Sequence, residues 1–192
     1  ALRGVVILPG MVTHFDVSRK RSIQAIETSM QMDNQIFLIA QRDMETDEPG
    51  MEDLYKIGVI ANIKQIVKMK NDIIRVLVEG IDRAELAFVK ENENYLETAV
   101  VKTEEEREEF PAGVEEAMVR AMQEALVEYC TANVKVGKEL AKQADDYDDL
   151  YKMLRHLSNN VPLAYEDRQR ILETKNTTEH YEVLMELLLK ET

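Results

Sequence analysis

Three histidines, a single cysteine and two adjacent carboxylates are the side chains in this sequence whose types could do chemistry. Zinc takes about four converging nitrogen, sulfur or oxygen donors. His14, His156 and His180 are widely spaced, form no His-Glu-x-x-His pair and have only Cys130 to join them, so no metal site is expected. His14 falls in an extended segment, at the surface or the edge of a core, and His156 among leucines near a helix end. Cys130 closes an amphipathic stripe, the usual place of a small buried thiol, whereas a nucleophilic cysteine needs a depressed pKa. A serine elbow of the Gly-x-Ser-x-Gly type is absent, and the 7 glycines form neither Gly-x-x-x-x-Gly-Lys nor Gly-x-Gly-x-x-Gly. Nothing therefore wraps a nucleotide phosphate. Asp47-Glu48-Pro49-Gly50 reads either as paired carboxylates for metal or proton chemistry or as an acidic turn. Arg19-Lys20-Arg21 is the one basic triplet. Cations on the first turn of a helix oppose its dipole by tenths of a kcal/mol each, so the triplet is either a solvated turn or a contact surface.

These side chains must be positioned by a chain of 192 residues, enough for one large domain or two small ones with a real core. Apolar residues make up 45% and charged residues 32%, the balance of a folded globular protein. A formal net charge of -13 argues against a nucleic-acid footprint and against docking on an anionic membrane. No apolar run reaches the ~20 residues a membrane helix needs. A lone cysteine suits a reducing compartment, and a cytoplasmic location is expected. The chain starts at Ala1 without methionine, which is expected of a piece of a longer protein.

The acid is unevenly spread: residues 1–103 hold 13 Lys+Arg against 16 Asp+Glu, and residues 104–192 hold 11 against 21. An α+β organisation follows. Residues 1–103 form a β-rich subdomain, 104–111 a junction within the run Thr103–Gly113, and 112–192 a helical bundle. Strands are expected at Gly4–Leu8, Ile36–Gln41, Ile57–Lys70, Ile73–Gly80 and Tyr95–Lys102, which are rich in Val and Ile and bounded by turn residues. Asn71-Asp72 makes a hairpin turn. The apolar phase of Ile57, Val59, Ala61 and Ile63 slips at Ile66, as a bulge or sharp bend would require. One helix, Ser18–Met32 with Ser18 as N-cap, interrupts the strands. Beyond the junction, Val114, Met118, Ala121, Ala125 and Tyr129 form one stripe. Tyr147, Leu150, Tyr151, Leu154 and Leu157 form a second, and Tyr181, Leu184 and Leu188 a third. Val161-Pro162 breaks the helices, and Thr177 or Thr178 caps the last one. The glutamate run ending at Glu109 reads as a solvated stretch whose end enters a helix. Most of the ten methionines read as core, while Met30, Met32, Met44, Met51 and Met69 gather in the β-rich half and offer an adaptable binding surface.

Several of these stretches together are similar to one family. Leu2–Val12 (LRGVVILPGMV) resembles the opening of the N-terminal domain of Lon proteases, with Ser22–Met30 as its first helix and Ile36–Asp43 as its next strand. Asp47–Gln65 resembles its most recognisable stretch, Ile74–Leu86 resembles its Val-Leu-Val-Glu-Gly-x-x-Arg strand, and Val161–Thr174 resembles the helical bundle that follows. Ala1 in place of proline, Ser18 in place of glycine and Lys70-Asn71-Asp72 in place of a Pro-Asp-Gly-type turn are departures confined to turns.

The resemblance implies a β-rich PUA-like pseudo-barrel followed by an α-helical bundle. It implies the non-catalytic, substrate-recruiting part of an ATP-dependent serine protease in protein quality control. The ATPase module with ATP and Mg, and the Ser–Lys dyad, would lie beyond Thr192, so this part would hold no cofactor and no catalytic residue. Expected partners are unfolded or damaged proteins and, in the full-length parent, copies of itself in a homo-hexamer, with no nucleic acid and no membrane. The Asp-Glu-Pro-Gly segment would be a structural loop. Arg19, Lys20 and Arg21, as the one basic cluster of an acidic chain, are expected to touch substrate or a neighbouring subunit. A free-standing adaptor carrying the same domain without a protease is the alternative.

Overall fold

Alternating apolar side chains from Ile57 onward commit that segment to a strand with one buried face. In the computed structural model, which describes residues 1–143, 147 and 149–192, it is the longer-than-average strand β3, Ile57–Lys68. The chain divides into two units, Ala1–Glu104 and Glu105–Thr192.

The first unit holds strands β1 (Val12–Val17), β2 (Gln35–Leu38), β3, β4 (Ile74–Glu91) and β5 (Leu96–Lys102), with helix α1 (Lys20–Met30). All pairings are antiparallel, in the order β1-β4-β3-β2, and β5 also pairs with β4. Asn71 and Asp72 do turn the β3–β4 hairpin, both in the left-handed region (φ 61° and 58°) that their short polar side chains tolerate. The slipped phase at Ile66 is a bulge. Pairing passes from Ile63↔Val78 to Gln65↔Leu77 and leaves Lys64 unmatched.

Two expectations fail here. Gly4–Leu8 is not a strand, although Val6, Ile7 and Leu8 are buried. Its β-branched composition answers a need for burial, not for pairing, and regular pairing starts at Val12, past the Pro9-Gly10 turn. Gly80 does not end a strand either, and β4 runs on to Glu91. Gly80 is required by close approach: a Cβ there would lie 2.4 Å from the Leu8 carbonyl oxygen. That clearance lets Gly10 N–H donate to Gly80 O at 2.8 Å and Gly80 N–H to Met11 O at 2.9 Å.

Helix α1 begins later than expected. Arg19, not Ser18, is its N-cap residue, and no side chain caps it. The helix ladder opens with Ile23 N–H on Arg19 O at 3.0 Å, which puts Ser18 one residue too early to reach the first free amides. Ile26 of α1 packs into a core with Phe15, Val17, Leu38, Ile63 and Val76. Fully burying each such side chain is worth about 1.5–3 kcal/mol.

The second unit holds α2 (Ala112–Ala132), α3 (Val134–Gln143), α4 (Leu150–Asn160), α5 (Tyr165–Leu172) and α6 (Thr177–Lys190). Helix α2 buries Val119, Met122, Ala125, Leu126 and Tyr129, while Val114 is exposed. The face is rotated from the expected stripe because α2 carries apolar residues on more than one side, and packing chose among them. Helix α3 lies outside the expected stripes, although half-buried Val136 and buried Leu140 stand at helical spacing. Its Gly137 breaks the apolar pattern because it touches α2 so closely that a Cβ would lie 2.5 Å from Cys130 O. Leu154 and Leu157 of α4 and Leu184 and Leu188 of α6 are buried as expected, and α4 ends at Asn160, just before Val161-Pro162. Asn176, not Thr177 or Thr178, caps α6, its side chain accepting from Glu179 N–H at 2.9 Å. No helix among the described residues is long and apolar enough to cross a membrane.

Candidate functional site

In the second unit the fold assembles three residues that the sequence scattered. The Ser158 hydroxyl and His180 Nε2 are 2.7 Å apart, and His180 Nδ1 lies 3.0 Å from Glu105 Oε1. The order hydroxyl–imidazole–carboxylate is that of an acyl-transfer relay. Burial decides against that use: Ser158 is 2% and His180 6% exposed, so no substrate carbonyl reaches the hydroxyl. The relay is a polar pin. The acidic run around it is solvent-exposed at Glu104, Glu106, Arg107 and Glu109, as expected, while Glu105 and Glu108 turn inward, and no part of the run enters a helix. Glu106 N–H donates to Lys175 O at 2.8 Å, and Glu108 Oε1 accepts from Thr178 N–H at 2.8 Å. Carboxylates gather here because the first turn of α6 presents unpaired N–H groups and the positive end of its dipole. Cys130 is half-buried, and burial pushes its thiol pKa up and away from thiolate. His14 is exposed, and His156 is half-buried beside the Tyr147 ring at 5.3 Å. No cluster of His, Cys, Asp or Glu among the described residues could hold a metal ion.

The first unit carries a groove of about 440 Å³. One wall is the sequence-consecutive run Ile36–Ile39 at β2. Neighbouring residues of a strand point to opposite faces, so a run of four can line a groove only if the strand shows its edge. Val89 of β4 and Leu96 and Thr98 of β5 form another part, and α1 contributes Lys20, Arg21, Ser22 and Ala25. Gly58 shapes the apolar floor: a Cβ there would lie 2.7 Å from the Phe37 ring, so glycine lets that ring lie over β3.

The third wall is the loop Asp47-Glu48-Pro49, and its geometry answers the question its carboxylates raise. Asp47 Oδ1 pairs with Arg3 at 3.2 Å, and Gly50 N–H donates to Asp53 Oδ2 at 2.9 Å, closing the short turn Met51–Asp53. The segment is a turn that walls a groove. It is tethered from within by Gln41, a fully buried residue that the sequence reading missed, whose Nε2 donates to Thr46 O at 2.8 Å and Asp43 O at 3.2 Å. A polar residue beside a strand of apolar ones, ahead of a long loop, was the available signal.

The basic triplet lies on this groove, and its members differ. Arg19 Nη2 donates to Ala1 O at 2.9 Å and Nη1 to Asp47 O at 3.3 Å. Burial, and secondarily the Arg3 charge, pushes the Arg19 guanidinium pKa down from its ordinary value. It stays charged, because an arginine pKa starts so high. Lys20 is exposed and Arg21 half-buried, and neither makes a hydrogen bond or ion pair with any described residue. The five methionines expected to offer a binding surface do not line the groove. Met30, Met32, Met44, Met51 and Met69 are all exposed elsewhere on the unit's surface.

An open apolar groove with a cationic rim is the architecture of a surface that binds another chain. A family model described as the ATP-dependent protease La (LON) substrate-binding domain matches residues 1–190. The chain is 40% identical over 191 residues to Lon protease of Lachnoclostridium phytofermentans, covering 100% of this chain and 24% of that protein. It is 32% identical over 190 residues to Lon protease 1 of Bacillus subtilis, covering 99% of this chain and 24% of the other. Among solved structures, the N-terminal domain of Mycobacterium avium complex Lon protease superposes with a TM-score of 0.75 at 18% identity. That match covers 100% of this chain and 96% of the other, so the fold is shared throughout. This chain belongs to the Lon substrate-binding domain family, and it spans about a quarter of the length of the curated relatives it matches.

Proposed function

We propose that this chain recruits unfolded or degron-bearing polypeptides to an ATP-dependent serine protease of which it forms the amino-terminal part. In that reading the ATPase module, with ATP and Mg, and the Ser–Lys dyad belong to other segments of the parent. The parent works in the cytoplasm as a homo-hexamer, and residues 1–103 and 112–192 are its β-rich and helical subdomains around the junction 104–111. The observation that carries the reading is the match of residues 1–190 to a substrate-binding domain, and the open groove of the first unit supports it. An apolar floor between strand edges suits an extended chain better than a folded surface. Arg19, Lys20 and Arg21 are its polar contacts, Arg19 as part of the wall and the other two toward the bound chain. Affinity for any one segment is expected in roughly the micromolar range or weaker, with avidity across copies supplying the rest. Fluorescence anisotropy of labelled, reduced and carboxymethylated casein titrated with the purified chain tests this. Saturable binding that a folded control protein does not share is expected, and equal, negligible binding of both would overturn it.

A further inference from the structure

We infer that the groove of the first unit selects extended apolar segments flanked by carboxylates, with Lys20 and Arg21 as the residues that read the flank. The inference rests on the recruitment reading above and adds a chemical preference to it.

Charge complementarity carries it. Two of the five charged side chains on the groove rim, Asp47 and Arg19, are already bonded within the unit. Asp47 pairs with Arg3, and Arg19 is bound to two backbone carbonyls. Lys20 and Arg21 have no such partner, and the first turn of α1 has no acidic residue to offset them. Glu48 is the one other charged residue on the rim without a bond, so the rim is locally positive on a protein of net charge -13. At physiological salt the Debye length is about 8 Å. The distant acid that dominates the net charge is therefore screened, and a chain in the groove senses the two cations next to it. A cationic first turn also opposes the helix dipole. No contact within the unit offsets that cost, whereas a bound carboxylate would.

The apolar part of the preference comes from the floor. Ile36, Phe37, Val89 and Leu96 offer apolar side-chain surface, so a purely acidic peptide gains nothing there. The occupant is a polypeptide with a few consecutive apolar side chains and Asp or Glu beside them.

The test uses two fluorescent peptides with the same apolar core, one flanked by Asp-Glu and one by Lys-Arg, titrated with the purified chain. The acid-flanked peptide is expected to bind about tenfold more tightly. That ratio is expected to shrink steadily as salt rises from roughly 50 mM to 500 mM. Changing Lys20→Glu and Arg21→Glu together is expected to reverse the preference. The variant retains its fold because acidic residues favour a helix N-terminus. Equal affinities for the two peptides, or a preference that survives both substitutions, would overturn the inference. Labelled casein is run beside them to separate the two claims. Casein binding without an acid preference sinks this inference alone, and no binding by casein or either peptide sinks the recruitment reading with it.

Discussion

In the helical unit Glu105 reaches His180, Glu108 reaches the Thr178 amide and Asn176 caps Glu179, so three side chains converge on one helix start. In the sheet unit the start of α1 has no side-chain cap, no acidic residue in its first turn, and two cations without partners beside an open groove. The same structural problem, four unpaired amides and a positive dipole end, is solved at the start of α6 and left unsolved at the start of α1, whereas α2 and α5 lack a side-chain cap but carry acidic first turns. Convergence of this kind builds stability. Its omission beside a groove is what a binding surface requires, because a site whose charges are all matched internally has nothing left for a ligand.

The contrast can be broken first at the pin. His180→Ala leaves the buried Ser158 hydroxyl and the Glu105 carboxylate without their partner and opens a cavity, a loss of about 3 kcal/mol. Chemical denaturation followed by the helical signal should show it, with peptide binding unchanged under conditions where the variant is folded. A change below roughly 1 kcal/mol would mean that the polar network contributes little and the leucine core alone holds the helices.

A smaller effect is expected from Gly58→Ala, where the new Cβ meets the Leu38 carbonyl oxygen at 2.5 Å and the Phe37 ring at 2.7 Å. Backbone cannot give way as a side chain does, so a cost of about 2 kcal/mol is expected. Displacement of Phe37 should also weaken casein binding. Stability lost with binding intact would separate the groove floor from recognition.

Cap substitutions sharpen the comparison further. Asn176→Ala should cost about 1 kcal/mol. Ser18→Ala, at the position a sequence reading would choose as the cap of α1, should leave the melting temperature unchanged.

An effect smaller than that of the α6 cap belongs to the exposed ion pair Arg170–Glu186. The Arg170 hydrogen bond, and then its charge, holds the Glu186 pKa below its ordinary 4.5. Because the folded value is the lower one, the contribution is present above the unfolded pKa and lost as pH falls through the folded one. Glu186→Gln should lower the melting temperature slightly at pH 7. The gap from the parent should close on acidification below about pH 4. A gap independent of pH would assign the effect to packing.

Much of this was legible because the signals were local. Val-Ile alternation marked β3 and the first part of β4, Asn71-Asp72 marked their turn, and Val161-Pro162 marked the end of α4. Each is a property of neighbouring residues and the backbone they share. Legibility failed where a residue served something distant. Gly80 reads as a strand end, yet it is glycine so that the Leu8 carbonyl can approach. Gly137 weakens the pattern of α3 because α2 lies against it. Ser18 has the chemistry of a cap but stands one residue from where the ladder begins.

The sequence by itself determined the division into a strand-rich and a helical half, the absence of a phosphate loop motif, and the family motifs of Leu2–Val12, Asp47–Gln65 and Ile74–Leu86. Periodicity and side-chain chemistry are written residue by residue, and no folding is needed to read them. Only the tertiary structure decided that Ser158, His180 and Glu105, drawn from positions far apart in the chain, close into one buried pin. It alone decided that Lys20 and Arg21 line an apolar groove without an ion-pair partner in their unit. A hydrogen bond or an unmet charge is set by distances of a few ångströms between segments tens of residues apart. Such distances exist only after the hydrophobic core has brought the segments together.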